Sequence, residues 1–266
     1  MAFQSILILG CGNMGGAMLA GWLAGGIVPA HFTVVDPALA EAPVGVRLLR
    51  ALPDERFDAV LLSVKPQLLD DVAPVLNAVV GADTVLLSIL AGVELDSLAR
   101  RFPAAKALVR VMPNLAAAIG KSPIALFDQG LDDAGRRAVT SLMAPLGSPE
   151  WLASESDFDL VTALAGSGPG FVYRFIEALA KGAASLGLDA QLAERLAVAT
   201  VEGAAQLAAA SPDGPAELAR RVASPGGSTQ KGLDVLDQDQ ALKRLVEATL
   251  RAARDRNAEM AAQARG

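Results

Sequence analysis

The sequence predicts an α/β fold: an N-terminal open parallel sheet flanked by helices, followed by a second domain made only of helices. Three observations predict it. Residues 6–9 are a run of branched apolar residues that passes through a glycine-rich turn into a helix-forming stretch. Strand-like and helix-like segments then alternate as far as about residue 152, the pattern of a parallel sheet with helices on both faces. From Asp157 onward no strand-like run remains, and long Ala/Leu-rich segments take over. We place the boundary at 153/154, giving domains 1–153 and 154–266.

The first element organises the rest. Ile6-Leu7-Ile8-Leu9 reads as a buried strand. Gly10, Gly12 and Gly15 form a Gly-x-Gly-x-x-Gly turn, and an apolar helix runs on to about Leu23. In such a turn the first glycine lets the strand bend sharply. The second lets backbone N–H groups approach a pyrophosphate, and the third lets the helix lie close to the strand with its positive end toward the phosphates. Phe32-Thr33-Val34-Val35 is the next strand, and Asp36 closes it 21 residues after Gly15. Strand, glycines, helix, strand and acid in this order point to a bound dinucleotide.

Phe57–Val64 is a buried strand ending at Lys65-Pro66, and residues 67–80 are helical. Residues 84–89 form a strand and 94–101 a helix. Residues 106–111 form a strand that ends at Met112-Pro113-Asn114, residues 123–127 another, and 132–144 a helix. Ligands of such sheets bind beyond the carboxyl ends of the strands, so positions 65, 90 and 112 matter more than strand middles. In the second domain, helices are expected at 171–186, 192–207, 215–222 and 229–236. A last helix begins near Asp239, a residue suited to its N-cap. Leu242, Leu245, Val246, Thr249 and Ala253 share one face of that helix. Many Ala and Gly, with only 4% aromatics, favour a core shared between subunits over an Ala-packed monomeric bundle.

Composition narrows the function classes. The chain has 266 residues, 52% hydrophobic and 20% charged, with a formal net charge of -6. No basic surface invites nucleic acid or an anionic membrane. One Cys and one His exclude an internal disulfide and argue against a Cys/His metal centre. No charged residue precedes Asp36. Burial of the first strand and helix explains this better than a signal or anchor, since glycines interrupt the run and no basic segment leads it. A soluble, cytoplasmic protein is expected.

A second glycine loop, Ser224-Pro225-Gly226-Gly227-Ser228-Thr229, stands before a helix. Alone it reads as an ordinary cap. Beside a dinucleotide fold, whose first loop already takes the phosphates, it suits a substrate carboxylate. Hydroxy-acid dehydrogenases usually need a His, Lys or Tyr to move a hydroxyl proton. His31 lies before the second strand, away from the ligand edge, and Tyr173 lies in an apolar helical run, where it reads as core. Lys65 at a strand end serves either a ligand or solvent. This poverty of acids points to a substrate that brings its own proton, such as a cyclic imine.

Five segments carry a family resemblance. They are Gly10-Cys11-Gly12-Asn13-Met14-Gly15, Val64-Lys65-Pro66-Gln67, residues 109–114, residues 162–169 and Ser224–Thr229. In order and spacing the chain resembles the pyrroline-5-carboxylate reductases over nearly its whole length. The resemblance implies a Rossmann domain with an all-α dimerisation domain, dimers that often assemble into decamers, and NAD(P)H as cofactor. The reaction it implies is reduction of 1-pyrroline-5-carboxylate to L-proline, the last step of proline synthesis. It implies that Thr229 hydrogen-bonds the substrate ring nitrogen and is the catalytic hydroxyl. The N–H groups of Gly227, Ser228 and Thr229, with the Ser224 hydroxyl, would hold the carboxylate. Gly10, Gly12, Asn13, Met14, Gly15 and Asp36 would bind the cofactor, with Val64, Lys65, Pro66 and Asn114 along the nicotinamide. Ser228, Gln230 and Gly170 depart from the residues most frequent at their positions without removing a role.

Two other classes compete. A β-hydroxyacid dehydrogenase carries a Gly-x-Gly-x-x-x-Lys motif; laid on Gly166-Ser167-Gly168 it puts Val172 where the lysine belongs. A non-catalytic dinucleotide sensor would not need the second loop. Within the reductase reading, Asp36 is expected to accept hydrogen bonds from both ribose hydroxyls and to repel a 2′-phosphate, tilting the cofactor toward NADH. Pro37-Ala38-Leu39-Ala40 offers no base to such a phosphate, and Arg47 is taken as the nearest one downstream. Asp36 also suits a helix cap before Pro37, and both roles can coexist.

Overall fold

The computed structural model describes residues 3–264. Among these, the N-terminal part forms an eight-stranded sheet ordered β3-β2-β1-β4-β5-β6-β7-β8. The strands are β1 (Ile6–Leu9), β2 (Phe32–Val35), β3 (Arg47–Leu49), β4 (Ala59–Leu62), β5 (Val85–Ser88), β6 (Ala107–Met112), β7 (Ser122–Gln129) and β8 (Gly147–Trp151). Helices α1 (Asn13–Ala24), α2 (Leu69–Leu76), α3 (Leu95–Arg101) and α4 (Asp133–Met143) connect them.

Strand residues alternate between two cores, as a sheet covered on both faces requires. Ile6, Ile8, Ala59, Leu61, Val109 and Val111 face one core with Met18 and Trp22 of α1 and Leu142 of α4. Leu7, Leu9, Val60, Leu62 and Leu108 face the other with Leu76 of α2 and Leu98 of α3. Trp22 is completely buried, stacks on Phe32 at 5.3 Å, and donates its indole N–H to the Leu142 carbonyl.

The sheet departs from the predicted all-parallel one in a single pairing: β6 and β7 are antiparallel, and the others are parallel. The link from Met112 to Ser122 holds only a short 3-10 turn, Leu115–Ile119. A parallel return needs a crossover of about a dozen residues or more. Two strands escaped the sequence reading. β3 has three residues and begins with an exposed arginine, and β8 contains a glycine and a proline. Both are edge strands, where apolar alternation is not required and proline is tolerated.

By compactness the chain divides into two units: residues up to Ser167 together with those from Ala252 on, and Gly168–Arg251. Sequence periodicity marks instead where the strands end, at Trp151. A short helix α5 (Phe158–Val161) and a π-helical turn (Thr162–Gly166) close the first unit before that division. The second unit holds α6 (Gly168–Ser185), α7 (Ala190–Ala210), α8 (Pro215–Val222), α9 (Ser228–Asp237) and the N-terminal part of α10 (Ala241–Ala264), as far as Arg251. Asp189 caps α7 by accepting from the Leu192 N–H. Asp239 does not cap α10; its φ of 51° is left-handed, whereas an N-cap is extended. Tyr173, expected in the core, lies 65% exposed on α6. No helix among the described residues is long and apolar enough to cross a membrane.

Candidate active site

The parallel order reverses between β1 and β4, and the crevice of an open sheet lies at that point. Leu9 pairs with Leu62, so the crevice opens where Gly10 meets Ser63. Gly10 has a φ of 85°, and a Cβ there would lie 2.8 Å from the Ser63 carbonyl oxygen. A Cβ on Gly15 would lie 2.4 Å from the Ser63 hydroxyl and 2.7 Å from the Gly10 carbonyl oxygen. Both positions therefore require glycine for different reasons: one for its backbone conformation, the other for the close crossing of α1 over the strand end. Gly12 is the N-cap of α1 and nothing stands within 4 Å of where its Cβ would be. No side chain caps that helix, and its first turn carries no acid. The orphan N–H groups after Gly12, at Asn13, Met14 and Gly15, are thus left for an anion. The cradle fits a dinucleotide pyrophosphate.

Asp36 ends β2 beside this loop. Its Oδ2 accepts from the Cys11 N–H at 2.8 Å, and its Oδ1 accepts from the Ala38 and Leu39 N–H groups. Burial pushes the carboxyl up, but these N–H bonds and the Arg50 guanidinium outweigh it and hold Asp36 below the usual carboxylate range. The Cys11 thiol moves the other way, raised first by burial and then by the Asp36 charge.

The base nearest the Asp36 turn is not Arg47. Arg47 pairs with Glu55. Arg50, just past β3, instead donates to the carbonyls of Asp36, Pro37, Leu39 and Ala40. Nothing in the spacing of Arg50 from Asp36 announces this contact, because β3, which brings them together, is too short to read.

At the end of β4, Val64 abuts Gly10, with its Cγ1 3.1 Å from where a Cβ on that glycine would lie. Lys65 is exposed and precedes a 3-10 turn, Pro66–Leu68. The Ser63 hydroxyl is buried without a hydrogen-bond partner, a detail the sequence reading passed over. Asn114 follows β6 and is 5% exposed. Its Oδ1 caps the next turn at Ala116, its Nδ2 donates to the Ala165 carbonyl, and its N–H donates to the Ser122 hydroxyl. The side chain thus ties β6 to the π-helical turn, in which Ser167 N–H reaches back to Thr162. Such turns often mark functional sites. His31 lies in a 3-10 turn before β2, at the opposite end of the strand from Asp36.

In the second unit, Ser224 and Gly227 close a turn through a 2.9 Å backbone bond, with Gly226 at a φ of 72°. Gly227 is the N-cap of α9, with no side-chain cap and no acid in the first turn. The N–H groups of Ser228, Thr229 and Gln230 have no partner within this helix. A Cβ on Gly227 would lie 2.5 Å from the Ser224 hydroxyl, so the glycine makes room for that group at the helix start. Ser224, Ser228 and Thr229 are exposed. The arrangement is an exposed helix start, without a side-chain cap, with three hydroxyls around it.

Comparison with known proteins decides the family. The chain is 34% identical over 272 residues to the pyrroline-5-carboxylate reductase of Pasteurella multocida, covering 98% of each. The chain belongs to the pyrroline-5-carboxylate reductase family. Residues 155–260 match the model of the pyrroline-5-carboxylate reductase dimerisation domain. The solved reductase of Coxiella burnetii, 29% identical, superposes with a TM-score of 0.88, covering 97% of this chain and 98% of that one. The fold extends to the Plasmodium falciparum pyrroline carboxylate reductase solved with NADP bound, at 24% identity and a TM-score of 0.81 over 97% and 98% of the two chains.

Proposed function

We propose that this reductase converts 1-pyrroline-5-carboxylate to L-proline with hydride from NAD(P)H, completing proline biosynthesis. The observation that carries the substrate is the second uncapped helix start, at Gly227–Thr229, in a chain whose first one already suits a pyrophosphate. Bound NAD(P)H would supply the hydride that reaches the imine carbon. Gly10, Gly12, Asn13, Met14 and Gly15 would hold the cofactor phosphates, Asp36 the adenosine ribose, and Val64, Lys65, Pro66 and Asn114 the nicotinamide side. Asn114 would act chiefly by fixing the loop, since its side-chain oxygen and one amide proton are already engaged.

The N–H groups of Gly227, Ser228 and Thr229 and the Ser224 hydroxyl would hold the substrate carboxylate. Gly227 N–H is itself bonded to the Ser224 carbonyl, so Ser228 and Thr229 are the freer donors. The Thr229 hydroxyl has no useful acidity near neutral pH. It orients the ring nitrogen and donates a hydrogen bond as charge there changes, while the proton is the substrate's own. The exposed apolar face of the helical unit supports a homodimer as the working assembly, with the decamer as its larger form. The Asp36 carboxylate supports a lean toward NADH. Partners outside the chain are small molecules, with neither nucleic acid nor membrane among them, and a cytoplasmic location fits.

The deciding assay follows oxidation of NADH and NADPH by the purified chain with pyrroline-5-carboxylate and, separately, with 3-hydroxy acids. Imine-dependent oxidation alone is expected. Turnover of hydroxy acids without imine reduction would overturn the reading.

A further inference from the structure

We propose that Arg50 is a positioning residue for the adenosine end of the cofactor site, clasping the turn that carries Asp36 and thereby being withheld from the 2′-phosphate that distinguishes NADPH. The proposal rests on the reading that Asp36 faces the adenosine ribose. Within the turn from Asp36 to Ala40 only Asp36 carries a polar side chain, since Pro37, Ala38, Leu39 and Ala40 are apolar. Its N–H groups at Ala38 and Leu39 point inward to the Asp36 carboxylate. Its carbonyls are gathered from outside by one guanidinium: Nη1 of Arg50 donates to Asp36, Pro37 and Leu39, and Nη2 to Ala40.

The two sets of bonds meet at the Pro37–Ala38 peptide, whose N–H goes to the Asp36 carboxylate and whose carbonyl goes to Arg50, and otherwise hold neighbouring peptide units. Together they fix the direction of the Asp36 carboxylate, whose other oxygen is held to the glycine loop at Cys11. A planar fork with several donors can gather four oxygens at once; a lysine ammonium, a point charge on a flexible stem, cannot reproduce that geometry. The same contacts dispose of the arginine as a phosphate clamp. A 2′-phosphate would have to draw Arg50 off four carbonyls and would then lie against an ionised carboxylate. Arg47, the other base on this strand, is paired with Glu55.

Steady-state kinetics of the full chain at saturating imine test this, with NADH and NADPH each varied, for wild type, Arg50→Ala and Arg50→Lys. Both variants should raise the KM for NADH by roughly three- to tenfold, the loss of about one good hydrogen-bonded contact, with kcat within about twofold. The KM for NADPH should rise no more than that for NADH, and the lysine should fail to rescue. Melting temperatures without cofactor report that the variants are folded. An unchanged NADH KM in folded Arg50→Ala overturns the proposal. So does a KM for NADPH that rises alone and is restored by Arg50→Lys, because that is the behaviour of a phosphate clamp. The Asp36 reading fails by a different result, a wild type that prefers NADPH, and the NADH KM of the Arg50 variants still decides the clasp.

Discussion

Under the function proposed above, the Asp36 carboxylate is both brace and recognition group. A carboxylate offers about four lone-pair directions. Three are taken by the N–H groups of Cys11, Ala38 and Leu39, so room remains for one ribose hydroxyl rather than the two expected from its position alone. Asp36→Ser should therefore erase much of a preference for NADH in kcat/KM measured with both cofactors; a wild type favouring NADPH by about tenfold would show that the turn has been misread. The neighbouring thiol gives an independent probe. Burial and the Asp36 charge both raise the Cys11 pKa, so less thiolate is present at pH 8 than in a free thiol. Iodoacetamide should label Cys11, the chain's single cysteine, more slowly than it labels glutathione, and Asp36→Asn should speed the labelling. A wild-type rate matching glutathione would contradict this account. At the other loop, the contact proposed for the Thr229 hydroxyl would be worth on the order of 1–3 kcal/mol, so Thr229→Ala should slow kcat/KM by about tenfold to a hundredfold. An unchanged kcat/KM in the folded variant would remove the role.

At the scale of elements, legibility follows burial. β1, β2, β4, β5 and β6 lie inside the sheet, and each is a mainly apolar run whose bounds can be read within a residue or two. The edge strands β3 and β8 carry no such run. The antiparallel return of β7 follows from the link between Met112 and Ser122, which is too short for a crossover helix. Tertiary ties were silent for a related reason: they join residues far apart in sequence. Glu155 is the clearest case. Its Oε1 accepts from the Leu95 N–H and from Arg110 of β6, each at 2.8 Å, while the Arg110 guanidinium lies 3.9 Å over the Phe158 ring. Arg110 is 3% exposed. Glu155→Ala would leave that charge buried without its carboxylate and strip the Leu95 N–H of its partner at the start of α3. Removal of one member of a buried pair costs roughly 3–5 kcal/mol, with the lower end expected here because Glu155 is partly exposed. Chemical denaturation should show that loss as a lower midpoint at unchanged slope. A midpoint within error of wild type would mean that the cation–π contact alone sustains Arg110.

For the molecule as a whole, the helical unit poses a different energetic problem from the sheet. The sheet hides its apolar side chains in two cores, but among the described residues of the helical unit only Ala193 and Ala197 are buried hydrophobics. Phe171, Phe175 and Ala178 of α6, with Leu242, Leu245 and Val246 of α10, instead line an open apolar groove. The α10 residues are the face that helical spacing singled out, so the stripe was legible in the sequence while its exposure among the described residues was not. A contiguous apolar surface of this kind marks an association site, and a second copy of the same unit is the occupant the family's dimerisation domain supports. Leu245 is 66% exposed in the single chain, so a charge placed there leaves the fold of one subunit intact. Buried at an interface without a counter-charge, the same carboxylate costs several kcal/mol. Light scattering at micromolar concentration should give a dimer or a multiple of it for the wild type. Leu245→Asp should shift the mass toward the monomer, with its helical circular dichroism retained and imine reduction falling in step with the dimer. A wild type that is monomeric and fully active at that concentration would show that the groove serves something other than self-association.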